Sequence, residues 1–233
     1  MTLLRSAAFN LWFYGITILF CLGSVPVRRR ARRAGRAAVI AYAQVWARTV
    51  LAGLRLLAGI TWRVEGTVPA GAAVLAAQHQ SAFETLLWTT LLPDFAFVLK
   101  RELLAIPLFG PMLQAAQMIP VERTAGAAAM RALLRHGEEA ARQHRKIVIF
   151  PEGTRVAPGV RAPLHPGVAA LARHTGLPVV PVVTDSGRFW GKRAFRKHPG
   201  TIRVCLLEPL PASLSRAAMM QRLAELFAAG PQC

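Results

Sequence analysis

Two short stretches hold the side chains that could do chemistry. AAQHQSAFETLLW, residues 76–88, sets His79 and Glu84 between apolar runs, and IFPEGTR, residues 149–155, offers Glu152, Gly153, Thr154 and Arg155. A histidine with one ring nitrogen fixed by a carboxylate keeps the other free as a general base near neutral pH, and the carboxylate stabilises the imidazolium that forms. His79 and Glu84 suit that pairing on one condition. Were residues 79–84 wholly helical, steps of about 100° would put the two side chains on different faces. A helix starting near Ser81 instead leaves His79 in the turn before it, with its ring folded back over the first helical turn. A plainer role competes for Glu84, because Ser81-Ala82-Phe83-Glu84 also fits the S-x-x-E capping box at a helix start.

In the second stretch Pro151 ends a strand, Gly153 lets backbone approach a ligand closely, and Arg155 presents a planar fork suited to phosphate oxygens. Alone this is an ordinary surface turn. Its weight comes from following a buried strand, as His79 does, since open α/β sheets bind ligands at the carboxyl ends of their strands. Further along lie Glu122 and Arg123 in IPVERT, and Pro178 and Pro181 in LPVVPVV. Taken alone, these read as a surface arginine and an edge strand.

The elements that must position these residues follow from periodicity. Strands are predicted at TWRVEG, AAVLAAQ (72–78), DFAFVLK (94–100), MIPVER (118–123), KIVIFPEG (146–153), LPVVPVVT (177–184) and IRVCLLEP (202–209). Helices are predicted near 82–92 and over 126–145, 164–176 and 214–230. Strands alternating with helices give an α/β fold, a mixed β-sheet covered by helices. Residues 61–233 form the catalytic domain in this reading, and residues 1–60 an N-terminal membrane-anchoring helical segment. Residues 7–26 have the length of a bilayer-crossing helix, roughly 20 residues, and form an uncleaved anchor or half of a re-entrant hairpin. In residues 37–60, Val39, Tyr42, Trp46, Val50, Leu54 and Leu57 recur at helical spacing opposite Gln44, Arg48 and Arg55. That pattern fits a helix lying in the membrane interface, or one packed on the globular domain.

Charge and cysteines narrow the partners. The 233-residue chain is 54% hydrophobic and carries 29 Lys+Arg against 11 Asp+Glu, a net charge of +18. Arg28, Arg29, Arg30, Arg32, Arg33 and Arg36 follow directly on the apolar segment, the order that the positive-inside rule gives for a cytoplasmic flank. An anionic membrane is therefore the expected partner, and the signatures of a nucleic-acid binder are missing. Cys21, Cys205 and Cys233 are widely separated, which argues against a disulfide framework or a metal site. GRFWGK (187–192) has the wrong glycine spacing for a phosphate loop and reads as a basic loop near lipid headgroups with Trp190 at the interface. No G-x-S-x-G occurs, so a serine hydrolase is unsupported.

The order HQSAFE, PVER, FPEGTR and LPVVPV resembles the sequence blocks of the glycerolipid acyltransferases of the lysophosphatidate acyltransferase type, over roughly residues 61–210. The resemblance implies transfer of an acyl group from acyl-CoA or acyl-carrier protein, as co-substrate, to the sn-2 hydroxyl of 1-acylglycerol-3-phosphate, with no metal or other cofactor. It implies His79 as general base and Glu84 as its orienting carboxylate. Arg123, Glu152, Gly153, Thr154 and Arg155 would hold the acceptor, and Pro178 to Pro181 would shape the acyl or acceptor channel. One departure stands out: Glu84 occupies the place of the family's usual aspartate, one methylene longer. Acylation of another lyso-lipid, such as lyso-ornithine lipid or a lysophospholipid, and a non-catalytic lipid-binding protein are the alternative functions.

Overall fold

The structure is a computed structural model that describes the backbone of all residues and the side chains of all but Arg32, Ala34 and Arg123. Seven strands form one sheet in the order β1-β7-β6-β2-β5-β3-β4. They are β1 (Ile60–Glu65), β2 (Val74–Ala77), β3 (Phe95–Lys100), β4 (Ile119–Val121), β5 (Lys146–Ile149), β6 (Val179–Thr184) and β7 (Gly200–Leu206). Every pairing is parallel except β6 with β7, so the expected mixed sheet is present. The helices are α1 (Thr2–Ala34), α2 (Ala37–Gly53), α3 (Phe83–Leu91), α4 (Phe109–Ala115), α5 (Gly126–Arg142), α6 (Gly167–Thr175) and α7 (Arg216–Ala229).

Alternation along the buried strands divides the interior into two cores. Leu75, Ala77, Val148, Val180 and Val182 face a layer built with α1, α2 and α3, while Val74, Ala76, Ile147, Ile149, Val179 and Val183 face α5, α6 and α7. At roughly 25 cal/mol per Å² of apolar surface removed from water, this two-sided burial is the main term holding the fold.

α1 is longer than its apolar stretch, because the arginine cluster continues the helix past Pro26 to a glycine stop at Gly35. α1 and α2 pack as a hairpin, and α2 packs in turn on α3. Trp12 donates to the Thr49 carbonyl at 3.1 Å, Trp46 to Thr17 at 3.2 Å, and Tyr42 to the Phe20 carbonyl at 2.9 Å. α2 buries Val39, Ile40, Ala47, Val50 and Leu51 and donates from Gln44 to the Leu92 carbonyl, so it is packed on the globular domain. Both ends of α1 also meet the domain. Near its start, Asn10 and Ser6 bond the 195–197 segment, and just beyond its end Arg36 pairs with Asp94 at 2.8 Å. The outward face of the hairpin is bare and apolar, with Leu4, Leu11, Ile18, Leu19, Leu22 and Leu56 all more than half exposed.

Three sequence expectations are corrected. Trp190 is buried and meets Phe9 and Phe13 edge-on at centroid distances of 5.1 and 5.6 Å, so it is the socket for α1 and not an interfacial side chain. Cys205 and Cys233 are joined, with Cα atoms 6.0 Å apart. α7 carries the end of the chain back to β7, a proximity that a separation of 28 residues does not reveal. β6 is an interior strand, not an edge: Pro181 sits where its ladder to β7 lapses, its carbonyl accepting from Leu207 N–H with no N–H of its own to return.

Candidate active site

Because β2, β3, β4, β5 and β6 run parallel, their carboxyl ends share one edge of the sheet, and the turns that leave them converge there. His79 lies two residues past β2, Phe150 to Arg155 leave β5, and Ser186 leaves β6. The helix after His79 begins at Phe83, late enough for the ring to fold back as the sequence requires.

His79 Nδ1 lies 3.0 Å from Glu84 Oε2. The same oxygen accepts from Ser81 N–H at 3.0 Å, and Ser81 Oγ accepts from Phe83 N–H at 3.1 Å. The capping role and the histidine-pairing role, rivals in the sequence, are therefore filled by one carboxylate. The extra methylene of Glu84 curls the carboxylate back over the start of α3. Its other oxygen, Oε1, accepts from the hydroxyl of Ser186, a partner 102 residues away that no local pattern announces.

The rest of His79 is held as firmly. Its backbone N–H donates to Glu152 Oε2 at 2.6 Å, its carbonyl accepts from Val156 N–H at 2.8 Å, and its ring stacks on Phe150 at a centroid distance of 4.1 Å. Nε2 is left without a hydrogen-bond partner among the described residues. Glu152 is buried, and that burial, with the Glu84 charge nearby, pushes its pKa up to about 7 against the lowering effect of the His79 N–H. Its carboxylate is turned to the His79 backbone. Gly153 adopts a φ of 69°, a left-handed conformation that a side chain would strain, and this closes the turn that delivers Thr154 and Arg155.

A cavity of about 770 Å³ opens at His79. Thr17 and Phe20 of α1, Tyr42 and Trp46 of α2, and Phe97 and Met112 give it apolar walls, while Arg155, Lys192, Arg193 and Lys100 supply cations. Gly153 and Thr154 also line it, and Lys192 Nζ donates to Thr154 Oγ1 at 3.0 Å. Arg123 begins a short 3-10 turn just after β4; its side chain lies outside the described residues. Pro178 and Pro181 are not among the lining residues. Pro178 lies just before β6 and Pro181 in its middle, away from the strand ends where the cavity lies. Sequence reasoning missed Ser186, Lys192 and Lys100. Lys192 ends the basic loop GRFWGK and Lys100 ends the strand β3, whereas Ser186 had no signal beyond following a strand.

An acyltransferase family model matches residues 60–185, over half the chain. The chain belongs to this acyltransferase family. The acyltransferase is 34% identical over 206 residues to the 1-acyl-sn-glycerol-3-phosphate acyltransferase of Pseudomonas aeruginosa, covering 88% of this chain and 76% of that one. It is 30% identical over 154 residues to the human 1-acyl-sn-glycerol-3-phosphate acyltransferase beta, covering 65% of this chain and 55% of the human one. Its fold is that of the crystal structure of the 1-acyl-sn-glycerophosphate (LPA) acyltransferase PlsC from Thermotoga maritima. The TM-score is 0.77 at 22% identity, over 98% of this chain and 95% of that one.

Proposed function

We propose that this acyltransferase moves an acyl group from a thioester donor, acyl-CoA or acyl-carrier protein, to the sn-2 hydroxyl of 1-acyl-sn-glycerol 3-phosphate, releasing phosphatidate and the free thiol. The observation that carries this is the His79 ring: one nitrogen fixed on Glu84, the other free, on the wall of an apolar cavity that also bears Arg155. The names of its relatives support the choice of acceptor.

In this mechanism Nε2 of His79 takes the hydroxyl proton as the oxygen attacks the thioester carbonyl, and Glu84 balances the imidazolium. The tetrahedral oxyanion collapses with cleavage of the carbon–sulfur bond, and the imidazolium returns its proton to the leaving thiolate. No acyl-enzyme forms. Arg155, with Arg123, meets the acceptor phosphate, and Gly153 and Thr154 shape the turn that brings Arg155 to it. Glu152 serves the acceptor indirectly, by holding the His79 backbone.

The bare apolar face of the α1–α2 hairpin supports membrane association, and both helices are long and apolar enough to cross a bilayer. Because the hairpin lies along the domain and is held at both ends, we place it in one leaflet with its apolar face inward. The arginine cluster supports a cytoplasmic placement of the domain beside anionic headgroups.

The test is acyl transfer by the purified chain in vesicles, with lysophosphatidate and a panel of other lyso-lipids beside acyl-CoA. Phosphatidate formation that His79→Ala abolishes supports the proposal. Transfer confined to another lyso-lipid would replace the acceptor and keep the mechanism, and lipid binding with no transfer at all would make this a binding protein.

A further inference from the structure

Glu84 is 2% exposed, so both of its carboxylate oxygens need partners inside the protein. Oε2 serves His79 Nδ1 and Ser81 N–H, whereas Oε1 has one partner among the described residues, the hydroxyl of Ser186. A carboxylate can only accept, so the serine proton points at Glu84. Ser186 is itself fixed. Its N–H donates to Thr184 Oγ1 at 3.2 Å, and its carbonyl accepts from Phe189 N–H at 3.1 Å and Trp190 N–H at 2.9 Å. The residue is fully enclosed, which leaves its hydroxyl no water to turn to.

We infer that Ser186 is a positioning residue of the proton relay: by donating to Oε1 it holds the longer glutamate side chain at the angle where Oε2 meets the His79 ring. The inference rests on the reading of His79 as general base. Glutamate has one more rotatable bond than aspartate, and a carboxylate held only through Oε2 could pivot about its contacts with His79 and Ser81. The third contact, delivered from β6 beside β2, removes that freedom. An aspartate at position 84 would carry its carboxylate about one carbon–carbon bond (~1.5 Å) nearer the α3 backbone and so away from Ser186. Ser186 therefore matters to this enzyme because position 84 is glutamate, and the two residues act as a unit.

The experiment is a cycle of Ser186→Ala, Glu84→Asp and the double variant in the full-length chain. It reads acyl transfer in vesicles together with 15N NMR of the His79 ring and a melting temperature. Ser186→Ala is expected to lower kcat by roughly 10-fold or more with KM for the acceptor unchanged, the size of one lost hydrogen bond to a charged group. In the Glu84→Asp background the same change is expected to cost no more than about 2-fold, because the bond is already absent. The ring should hold its proton on Nδ1 in the wild type and distribute it between both nitrogens in Ser186→Ala. Equal losses in both backgrounds, or an unchanged tautomer in Ser186→Ala, would overturn the inference. Should Ser186→Ala fail to fold, Ser186→Thr, which keeps the donor, and Ser186→Cys, which weakens it, carry the same comparison. Inactivity of the wild type toward every lyso-lipid would remove the functional reading alone, since the NMR tautomer still decides the role of Ser186.

Discussion

The backbone N–H of His79 donates to Oε2 of Glu152 at 2.6 Å, while the His79 carbonyl accepts from Val156 at 2.8 Å. The turn leaving β2 is thus stitched on both sides of one residue to the turn leaving β5. The two motifs assigned to the chemistry are thereby tied together, with the acidic residue of the second accepting from the backbone of the histidine of the first.

Glu152→Gln keeps an acceptor for that N–H and removes a carboxylate whose burial costs more as it ionises. The folded pKa, about 7, lies above the ordinary 4.5, so the folded state binds the proton more tightly. Its contribution to stability is full below pH 4.5 and is lost as pH rises to 7. Denaturant melts at pH 5 and pH 8 should show Glu152→Gln gaining on the wild type by up to about 3 kcal/mol at the higher pH. A constant difference between the two proteins across that range would contradict the assignment.

His79→Ala should lower kcat by about 10²- to 10⁴-fold, the range of a positioned general base. Glu84→Gln, which keeps the shape but not the charge, should fall between His79→Ala and Glu84→Asp in activity. The order of the three rates, measured at saturating acceptor, is the check.

Arg155→Ala should raise KM for lysophosphatidate by roughly 10-fold or more, the size of a lost charge-assisted hydrogen bond. Arg155→Lys should recover part of it, because the charge returns without the planar fork. An uncharged lyso-lipid of equal chain length should not distinguish the variants, and equal effects on both acceptors would place the arginine elsewhere in the reaction.

Lys197 is buried, with its ammonium donating to Asn10 Oδ1 and the Ala194 carbonyl at 2.8 Å and to the Phe195 carbonyl at 3.0 Å. Burial lowers its pKa to about 8, below the ordinary 10.5, so the unfolded chain holds the proton more tightly and stability rises with pH between those values. The melting temperature of the wild type should therefore gain on that of Lys197→Met between pH 8 and pH 10, opposite in sign to the Glu152 effect. Asn10→Ala should speed hydrogen exchange in the first turns of α1 while leaving the sheet protected.

The strands were legible in the sequence because each is a short apolar run bounded by turn residues, and the two-sided burial of a parallel sheet removes polar interruptions. The pairing of His79 with Glu84 was legible because both partners lie within one turn and helix start. What escaped was non-local. Ser186 reaches Glu84 only because β6 lies beside β2, and Cys233 reaches Cys205 only because α7 returns to β7. Pro178 precedes β6 and Pro181 sits in its middle, and on this stretch the cavity is lined by residues past Thr184, at Lys192 and Arg193.

α1 bares Leu11, Ile18 and Leu22 to the outside and lends Thr17 and Phe20 to the cavity wall. With the hairpin seated in one leaflet, as proposed, a single helix about 10 Å across separates the lipid from the cavity. A lyso-lipid already in the leaflet has only to slip sideways past it, never leaving its hydrocarbon surroundings for water. The concentration this enzyme senses is then mole fraction in the membrane surface. Dilution of the acceptor with inert lipid at constant total acceptor should slow the reaction, whereas dilution of the whole vesicle suspension with buffer should leave the turnover of bound enzyme unchanged.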